Sequence, residues 1–572
     1  MIQNPILKGF CPDPSIIRVG DDYYVATSTF EWWPGVRLFH SRDLKHWEQI
    51  PSPLRRKSQL DMTGNPPSGG IWAPCLSHDG KKFYLVYTDV KSKKGMYYNT
   101  HNYVVSTEDI YGEWSEPIYL NSIGFDPSLF HDVDGRKYLV NMLFKFKGIM
   151  VQEVDPVTFE FIGEQKKVYG GSGLRCTEGP HVYHIGDWYY IIVAEGGTGY
   201  EHCVTMARSK SIWGPFETAP DNPILTANRE EPAALQKCGH ADIVETQDGE
   251  WYMVHLCARP VGGQKWCTLG RETAIQKMVW DEDGWMRLAG GGRFAKTEVE
   301  EPRFLASESN ADAGTLNPGT VGEALDIGAA GRTEALDGRA SFALDDNGFH
   351  DDFQEDALSV RYSSSRVSYE PFADLHSRKG WLRIRGQEYM NSNHHVSLLA
   401  VRQQHACCTV ETYVEFEPES FLQMAGLSYI YDSLNFFILG KTVTDEGEPV
   451  LKLIRCDRGA DEVAAQVSLL SCEEMPGADC AGKDSSDGFA GNTGPDAAGV
   501  FLRAQVFDEG RSVRFFYRIG EGEWIQIGGE YSTEILTDEY CRGFTGAHFG
   551  MYVHDMVRME KCADFRYFNM NV

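Results

Sequence analysis

Three carboxylates and one histidine stand at matching points of a repeated motif, and together they could carry out acid–base chemistry. The motif begins with a short residue, which is usually followed by Pro. A small residue, two apolar residues, an Asp-Gly or Gly-Asp turn and a run of aromatic and apolar residues come next. Asp13 and Asp126 share one position in the first and third copies, Glu178 lies within one residue of it in the fourth, and His240 occupies it in the fifth. A single Asp before Pro usually only starts a strand. Three acids at repeat-equivalent positions favour an active site.

The repeat itself predicts the elements that position these side chains. The anchoring residues are 14, 74, 127, 180 and 241, at intervals of 60, 53, 53 and 61 residues. Each copy pairs aromatic and β-branched runs across a tight turn, which indicates β-hairpins. Five repeats of four-strand length are typical of a five-bladed β-propeller. Because the innermost strand of every blade lines one axis, we expect the repeated positions to converge there.

The second half of the chain has a different pattern. Residues 303–345 are rich in Ala, Gly and acids without strand alternation, and they are predicted to be a linker or insertion. From 346 to 572 short alternating runs return, which predicts a β-sandwich of jelly-roll type, with 477–499 as an exposed polar loop. The expected organisation is all-β: a propeller over 1–302, the linker, and the sandwich over 346–572.

Composition excludes several classes of partner. Lys and Arg total 54 against 82 Asp and Glu, a net charge of −28, which repels nucleic acid and anionic membranes and suits a neutral substrate. The chain contains no run of 18 apolar residues that could span a membrane. Its start shows no signal peptide, and its 14 cysteines form no Cys-x-x-Cys pair. A cytoplasmic location is therefore expected.

The motifs resemble glycoside hydrolase family 43, in particular its two-domain β-xylosidases. The matching segments span nearly the whole chain except the linker and 477–499; they include CPDPSI, STFEWWPG, GIWAPC, GFDPSLF, TEGPHVY, AEGGTGY, CGHADIVET, LGRETAIQ and, in the second half, YIYDSLNFFILGK and ADFRYF. The resemblance implies exo-acting, inverting hydrolysis that releases terminal xylose from β-1,4-xylo-oligosaccharides. No cofactor is required by that chemistry.

The resemblance also implies catalytic roles. Asp13 of CPDPS matches the general base, Glu178 of TEGP the general acid, and Asp126 of FDPS the residue that orients the acid and tunes its pKa. Inversion needs an acid to protonate the leaving oxygen and a base to activate water, about 6.5–9.5 Å apart. Like-charge repulsion from a neighbouring carboxylate helps to keep the acid protonated.

Substrate contacts carry over in the same way. Arg271 of LGRETA is implied to bind sugar hydroxyls, although such an arginine is more often a structural salt bridge. Phe30 and Trp72 are implied to wall the pocket, although such aromatics are often propeller core. His240 is implied to lie near the axis, where it forms hydrogen bonds or stands beside a bound calcium or water.

Two segments depart from the family pattern. After YLVNML the family commonly shows Trp and a longer loop, whereas this chain has the short segment 144–148, with Phe144 on the leaving-group side of the pocket. The family's sandwich closes the active site with a TGAF loop; here the sequence is FTGAHF, so Phe544 and His548 are the candidates. A homo-oligomer is also implied.

Other functions remain open. An α-L-arabinofuranosidase, or an enzyme with both activities, is the nearest alternative because the family handles both sugars. A β-fructosidase is disfavoured, since Phe125-Asp126-Pro127 and Glu178-Gly179-Pro180 replace its Arg-Asp-Pro and Glu-Cys signatures. A non-catalytic glycan-binding propeller is a remote alternative, which the joint presence of the three acids and Arg271 disfavours.

Overall fold

The computed structural model describes residues 1–228, 234–305, 342–343, 348–470 and 499–572. They fall into two compact units, Met1–Pro260 with Leu269–Asp345 and Val261–Thr268 with Asp346–Val572. The short segment Val261–Thr268 thus belongs with the second unit, although it lies within the 1–302 range assigned to the propeller. Apart from 303–305 and 342–343, the predicted linker lies outside the described residues, as does 477–499 except for Gly499.

The first unit consists of five antiparallel sheets, each built from consecutive strands. Their bounds, from the innermost strand outwards, are Ser15–Val19, Asp22–Thr27, Arg37–Ser41 and Glu48–Ile50; Gly70–His78, Phe83–Ser92, Asn99–Thr107 and Ile118–Asn121; Gly124–His131, Lys137–Leu143, Ile149–Val154 and Phe161–Tyr169; Glu178–Ile185, Trp188–Glu195, Cys203–Ser209 and Glu217–Thr218; and Gln236–Glu245, Trp251–Ala258, Glu272–Trp280 and Met286–Leu288. Short strands complete the described part of the unit: Trp32–Trp33, Leu225–Thr226 beside Cys203–Ser209, Phe342–Ala343 beside Glu48–Ile50, and the pair Ile2–Gln3 and Glu298–Val299.

The five sheets close into a ring. The innermost strand of each sheet contacts that of the next, and the fifth contacts the first. The N-terminal segment joins the last blade, because Ile2–Gln3 pairs with Glu298–Val299 and the Cys11 N–H donates to the Arg271 carbonyl at 2.9 Å. The predicted five-bladed propeller is confirmed.

The repeated motif position adopts the same unusual backbone conformation in every blade. The φ angles are positive at Asp13 (53°), Ala73 (31°), Asp126 (53°), Gly179 (56°) and His240 (45°). In blades two to five the strand register shifts at this point, which marks a β-bulge. A left-handed backbone costs a residue other than glycine about 1–2 kcal/mol, and such strain is concentrated at functional sites. In the fourth blade Gly179 occupies the bulge, so the acid stands one residue earlier.

The second unit is a sandwich of two antiparallel sheets. Its strands, in spatial order, are Ala373–Asp374, Leu382–Arg385, Cys562–Asn571, Cys408–Glu415, Gly499–Phe507, Ser512–Arg518 and Ile525–Ser532, with Gly348–Asp351 also on Cys562–Asn571; and Ser397–Arg402, His548–Asp555, Gln423–Asp432, Asn435–Val443, Pro449–Asp457 and Ala460–Ser468. Ser364–Ser365, the 3₁₀ turn Thr533–Leu536 and the single helical turn Asp538–Cys541 complete it.

Apolar side chains from both sheets form the core of this sandwich. Buried and half-buried residues alternate along Gly499–Phe507, as expected for a strand with one face on a core. The Tyr429 and Phe549 rings stack at 4.0 Å, and Phe437 meets Phe515 at 5.5 Å. The predicted β-sandwich is confirmed. In the described ranges no helix is long and apolar enough to cross a membrane.

Candidate active site

The site residues predicted in the propeller lie at one end of the blades. Asp13, Asp126 and Glu178 stand at the beginning of innermost strands, and the antiparallel second strand of each blade returns to that same end. The loops after the second strands therefore also converge there. Phe30 lies in the loop of the first blade, and Arg271 ends the loop of the fifth.

Asp13 is buried, with 6% of its surface exposed. Its Oδ2 accepts a hydrogen bond of 2.7 Å from Ser28 Oγ, which in turn accepts from the Ala73 N–H at 2.8 Å. Its Oδ1 lies 3.8 Å from both Arg271 Nη1 and His240 Nδ1. One carboxylate oxygen is thus fixed by the scaffold, while the other faces two side chains of the fifth blade.

Asp126 and Glu178 form an electrostatically coupled pair. Burial, followed by repulsion from Asp126 and Asp13, raises the pKa of Glu178 well above its usual range. Burial and the Asp13 charge also raise the pKa of Asp126, to about 8, but Asp126 Oδ2 accepts a 3.0 Å hydrogen bond from the Gly179 N–H. Because that N–H stabilises the ionised form of Asp126, we assign the proton of the pair to Glu178. The arrangement provides one carboxylic acid within a cluster of carboxylates.

Arg271 is almost fully buried and links three parts of the site. Its Nη1 donates to Thr198 Oγ1 at 2.6 Å and lies 3.8 Å from Asp13 Oδ1. Its guanidinium carbon is 5.4 Å from the centre of the Phe30 ring. These contacts place the arginine among the predicted site residues. With 4% of its side chain exposed, Arg271 does not form a surface salt bridge, but its ion pair with Asp13 does join two blades.

Aromatic rings form one wall of the site. The Phe30 ring centre lies 6.1 Å from that of Trp72, which meets Phe125 edge-on at 5.3 Å. Trp72 Nε1 donates to the Ser68 carbonyl at 3.0 Å, which fixes the indole plane. Phe144 instead contacts two partly exposed tyrosines, Tyr97 at 6.3 Å and Tyr98 at 5.4 Å.

Two buried imidazoles lie beside the acids. Burial lowers the pKa of His240 to about 4 and that of His202 to about 3, so both are neutral near pH 7. The His240 ring covers Gly179, where a Cβ would come within 2.9 Å of Cε1, so this bulge position requires glycine for space as well as conformation.

Calcium prefers six to eight oxygen ligands. The imidazole and single carboxylate at this point do not match that donor set, and no metal-binding group of three or more His, Cys, Asp or Glu occurs in the described ranges.

Phe544 and His548 belong to the second unit. His548 is fully buried at the start of His548–Asp555, with its Nδ1 2.8 Å from the Gly546 carbonyl oxygen. Phe544 is half-buried. Their predicted role in closing the pocket stays a prediction.

Sequence reasoning missed three contacting residues: Ser28, Thr198 and Phe125. Ser28 follows the second strand of blade one, and Thr198 follows that of blade four. Extending the repeat register to the loops after the second strands would have pointed to both. Phe125 directly precedes Asp126, as Trp72 directly precedes Ala73, so the repeat register of the innermost strands could have indicated it.

Comparison with known proteins finds family matches over both units. The model of glycosyl hydrolases family 43 matches residues 2–286, and that of the β-xylosidase C-terminal concanavalin A-like domain matches 350–571. Xylosidase/arabinosidase 43B of Humicola insolens is 41% identical over 99% of this chain and 97% of its own length. A β-xylosidase of Bacillus subtilis strain 168 is 40% identical over 99% of both chains. The crystal structure of a xylan β-1,4-xylosidase from Bacillus halodurans C-125 covers 100% of both chains, with a TM-score of 0.85 and 42% identity.

Proposed function

The chain belongs to glycosyl hydrolase family 43, and from that premise we propose that it is an exo-acting, inverting β-xylosidase that releases terminal xylose from β-1,4-xylo-oligosaccharides. The observation that carries the proposal is the buried pair of Asp126 and Glu178 beside Asp13. The pair retains a proton on Glu178 for a departing oxygen, and Ser28 holds Asp13 in one orientation.

In the proposed mechanism the two reacting carboxyl groups act in one displacement. Asp13 takes a proton from water as the water oxygen bonds to the anomeric carbon. Glu178 gives its proton to the glycosidic oxygen as the bond to that carbon breaks, so the products are α-xylose and a neutral alcohol. Asp126 supplies negative charge that helps to keep Glu178 protonated between turnovers. Exchange with solvent then restores the proton to Glu178 and removes it from Asp13.

Arg271 is proposed to bind adjacent hydroxyls of the terminal sugar. Arg271→Ala should lower kcat/KM for xylosides. The expected loss of transition-state stabilisation is about 2–4 kcal/mol, the range for charged hydrogen bonds together with positioning. Steady-state kinetics on nitrophenyl β-xyloside measures this loss. Arg271→Lys, which retains the charge but not the paired geometry, should recover a minor part. Unchanged kinetics with a lower melting temperature would reduce Arg271 to a structural role.

A comparison of four substrates tests the function. Purified protein should hydrolyse xylobiose and nitrophenyl β-xyloside, and from insoluble xylan it should release free xylose faster than internal fragments. Nitrophenyl α-L-arabinofuranoside tests the alternative of an arabinofuranosidase, which is supported by the Humicola insolens relative, a xylosidase/arabinosidase. Turnover of the arabinofuranoside alone would favour an arabinofuranosidase, and no turnover of any substrate would favour a glycan-binding protein.

Several expectations accompany this proposal. A neutral oligosaccharide as partner is consistent with the net charge of −28. A cytoplasmic location is supported by Cys407 and Cys562, which are exposed as free thiols. Assembly into a homo-oligomer is implied by the resemblance alone. A structural calcium would have to draw most of its ligands from water, and the proposed mechanism involves no metal.

A further inference from the structure

Glu195 is a fully buried carboxylate at the end of Trp188–Glu195, directly behind the acid-bearing strand. Its donors in the structure are all neutral. Oε1 accepts from Thr177 Oγ1 at 2.9 Å and from the Ser172 N–H at 3.1 Å. Oε2 accepts from Ser172 Oγ at 2.6 Å and from Thr205 Oγ1 at 2.7 Å. Burying a carboxylate is costly unless hydrogen bonds replace its water. The Glu195 carboxylate has such hydrogen bonds, and most of them come from one segment of the chain.

That segment is 170–177, the irregular crossover between blades three and four that leads into Glu178. Its tip is exposed at Leu174, whereas Thr177 at its base is 2% exposed. Gly171 packs so closely against the carboxylate that a Cβ there would lie 2.6 Å from Glu195 Oε1. The Gly196 N–H also donates to the Arg175 carbonyl at 2.7 Å. The crossover is therefore attached to the second strand of blade four at both ends.

The same strand connects to the other side of the site. Thr198, three residues after Glu195, accepts the hydrogen bond from Arg271. In strand pairing Glu178 stands opposite Ala194, the neighbour of Glu195. A shift of the carboxylate would therefore reach Glu178 through Thr177, whose peptide unit leads directly into the acid.

We propose that Glu195 and Thr177 are positioning residues for the general acid, with the buried carboxylate holding the crossover so that Glu178 meets the leaving oxygen. This proposal rests on the proposed function, because it requires Glu178 to be the acid. Its signature is selective: a misplaced acid harms substrates whose leaving group needs a proton, whereas a general loss of structure harms all substrates alike.

Thr177→Val removes the hydroxyl and retains the shape of the side chain. We expect the ratio of kcat/KM for xylobiose to kcat/KM for nitrophenyl β-xyloside to fall roughly 10- to 100-fold, the order of loss that a displacement of about 1 Å causes. Glu195→Gln, which leaves one amide donor facing the hydroxyls, should lower the same ratio. Thr177→Ser, which keeps the hydroxyl, should restore it.

Thr88→Val is the matched control, because Thr88 is equally buried and its Oγ1 donates to Asn102 Oδ1 at 2.7 Å in a different blade. Its substrate ratio should match that of the wild type even if its melting temperature falls. A folded Thr177→Val protein with an unchanged ratio would overturn the proposal, and so would an equal loss on both substrates. Glu178→Gln in the same assay separates the two failures: if that variant also shows no substrate selectivity, the assignment of the acid is wrong.

Discussion

Glu178→Gln should nearly abolish hydrolysis of xylobiose while retaining appreciably more activity on nitrophenyl β-xyloside. The leaving alcohol of xylobiose is strongly basic and needs a proton, whereas nitrophenolate departs without one. The loss on xylobiose should be at least about 10²–10⁴-fold, the usual contribution of general acid catalysis. Steady-state kinetics on both substrates measures it.

The pH profile adds a second signature for the same variant. Burial and the neighbouring carboxylates raise the pKa of Glu178, and the acid is active when protonated. Wild-type activity on xylobiose should therefore fall as the pH rises through that raised pKa, and the glutamine variant should lose this limb on nitrophenyl β-xyloside. Asp187→Asn is the control, since Asp187 is an exposed carboxylate in the turn at the opposite end of the acid-bearing strand. Equal losses of Glu178→Gln on both substrates would contradict the role of acid.

Asp13→Asn should reduce hydrolysis of both substrates together. Asp13 is proposed to activate the water, and that need does not depend on the leaving group. The amide can still occupy the place beside Ser28 but cannot take up the proton, so we expect a loss of about 10²–10⁴-fold in kcat on each substrate. The measurement is again steady-state kinetics, with thermal unfolding to confirm the fold.

Asp21→Asn provides the matched control for this second variant. Asp21 is exposed in the turn of the same blade, at the opposite end of the strand Ser15–Val19. It should leave both activities near those of the wild type. If Asp13→Asn lost activity on xylobiose but not on nitrophenyl β-xyloside, Asp13 would be the general acid and Glu178 the general base.

The sequence predicted the propeller and the convergence of its acids because one motif records one structural element five times. The motif position has a left-handed backbone in every blade, which explains why Asp, a residue that tolerates this conformation, stands at positions 13 and 126. It also explains the one-residue offset of Glu178, since Gly179 takes the bulge in the fourth blade. Such local constraints on backbone conformation can be predicted from a single sequence.

Contacts between distant segments could not be predicted from the repeat. The repeat register indicates the loops that carry Ser28 and Thr198, but it does not predict the hydrogen bonds that these residues form. Ser28 bonds Asp13 within blade one, whereas Thr198 of blade four bonds Arg271 of blade five. The Glu195 network is not predicted by the repeat either: its carboxylate accepts hydrogen bonds from two segments, the crossover 170–177 and the strand Cys203–Ser209. The grouping of Val261–Thr268 with the second unit likewise depends on the tertiary structure.

The stereochemistry of the first product tests the central claim most directly. Hydrolysis of a β-xyloside, followed by proton NMR before the free sugar mutarotates, reports which anomer forms first. With Asp13 as a base acting on water, the account predicts α-xylose as the initial product. Initial appearance of β-xylose would mean retention through a covalent intermediate, and it would contradict the assignment of Asp13 as base and of Glu178 as acid in a single displacement.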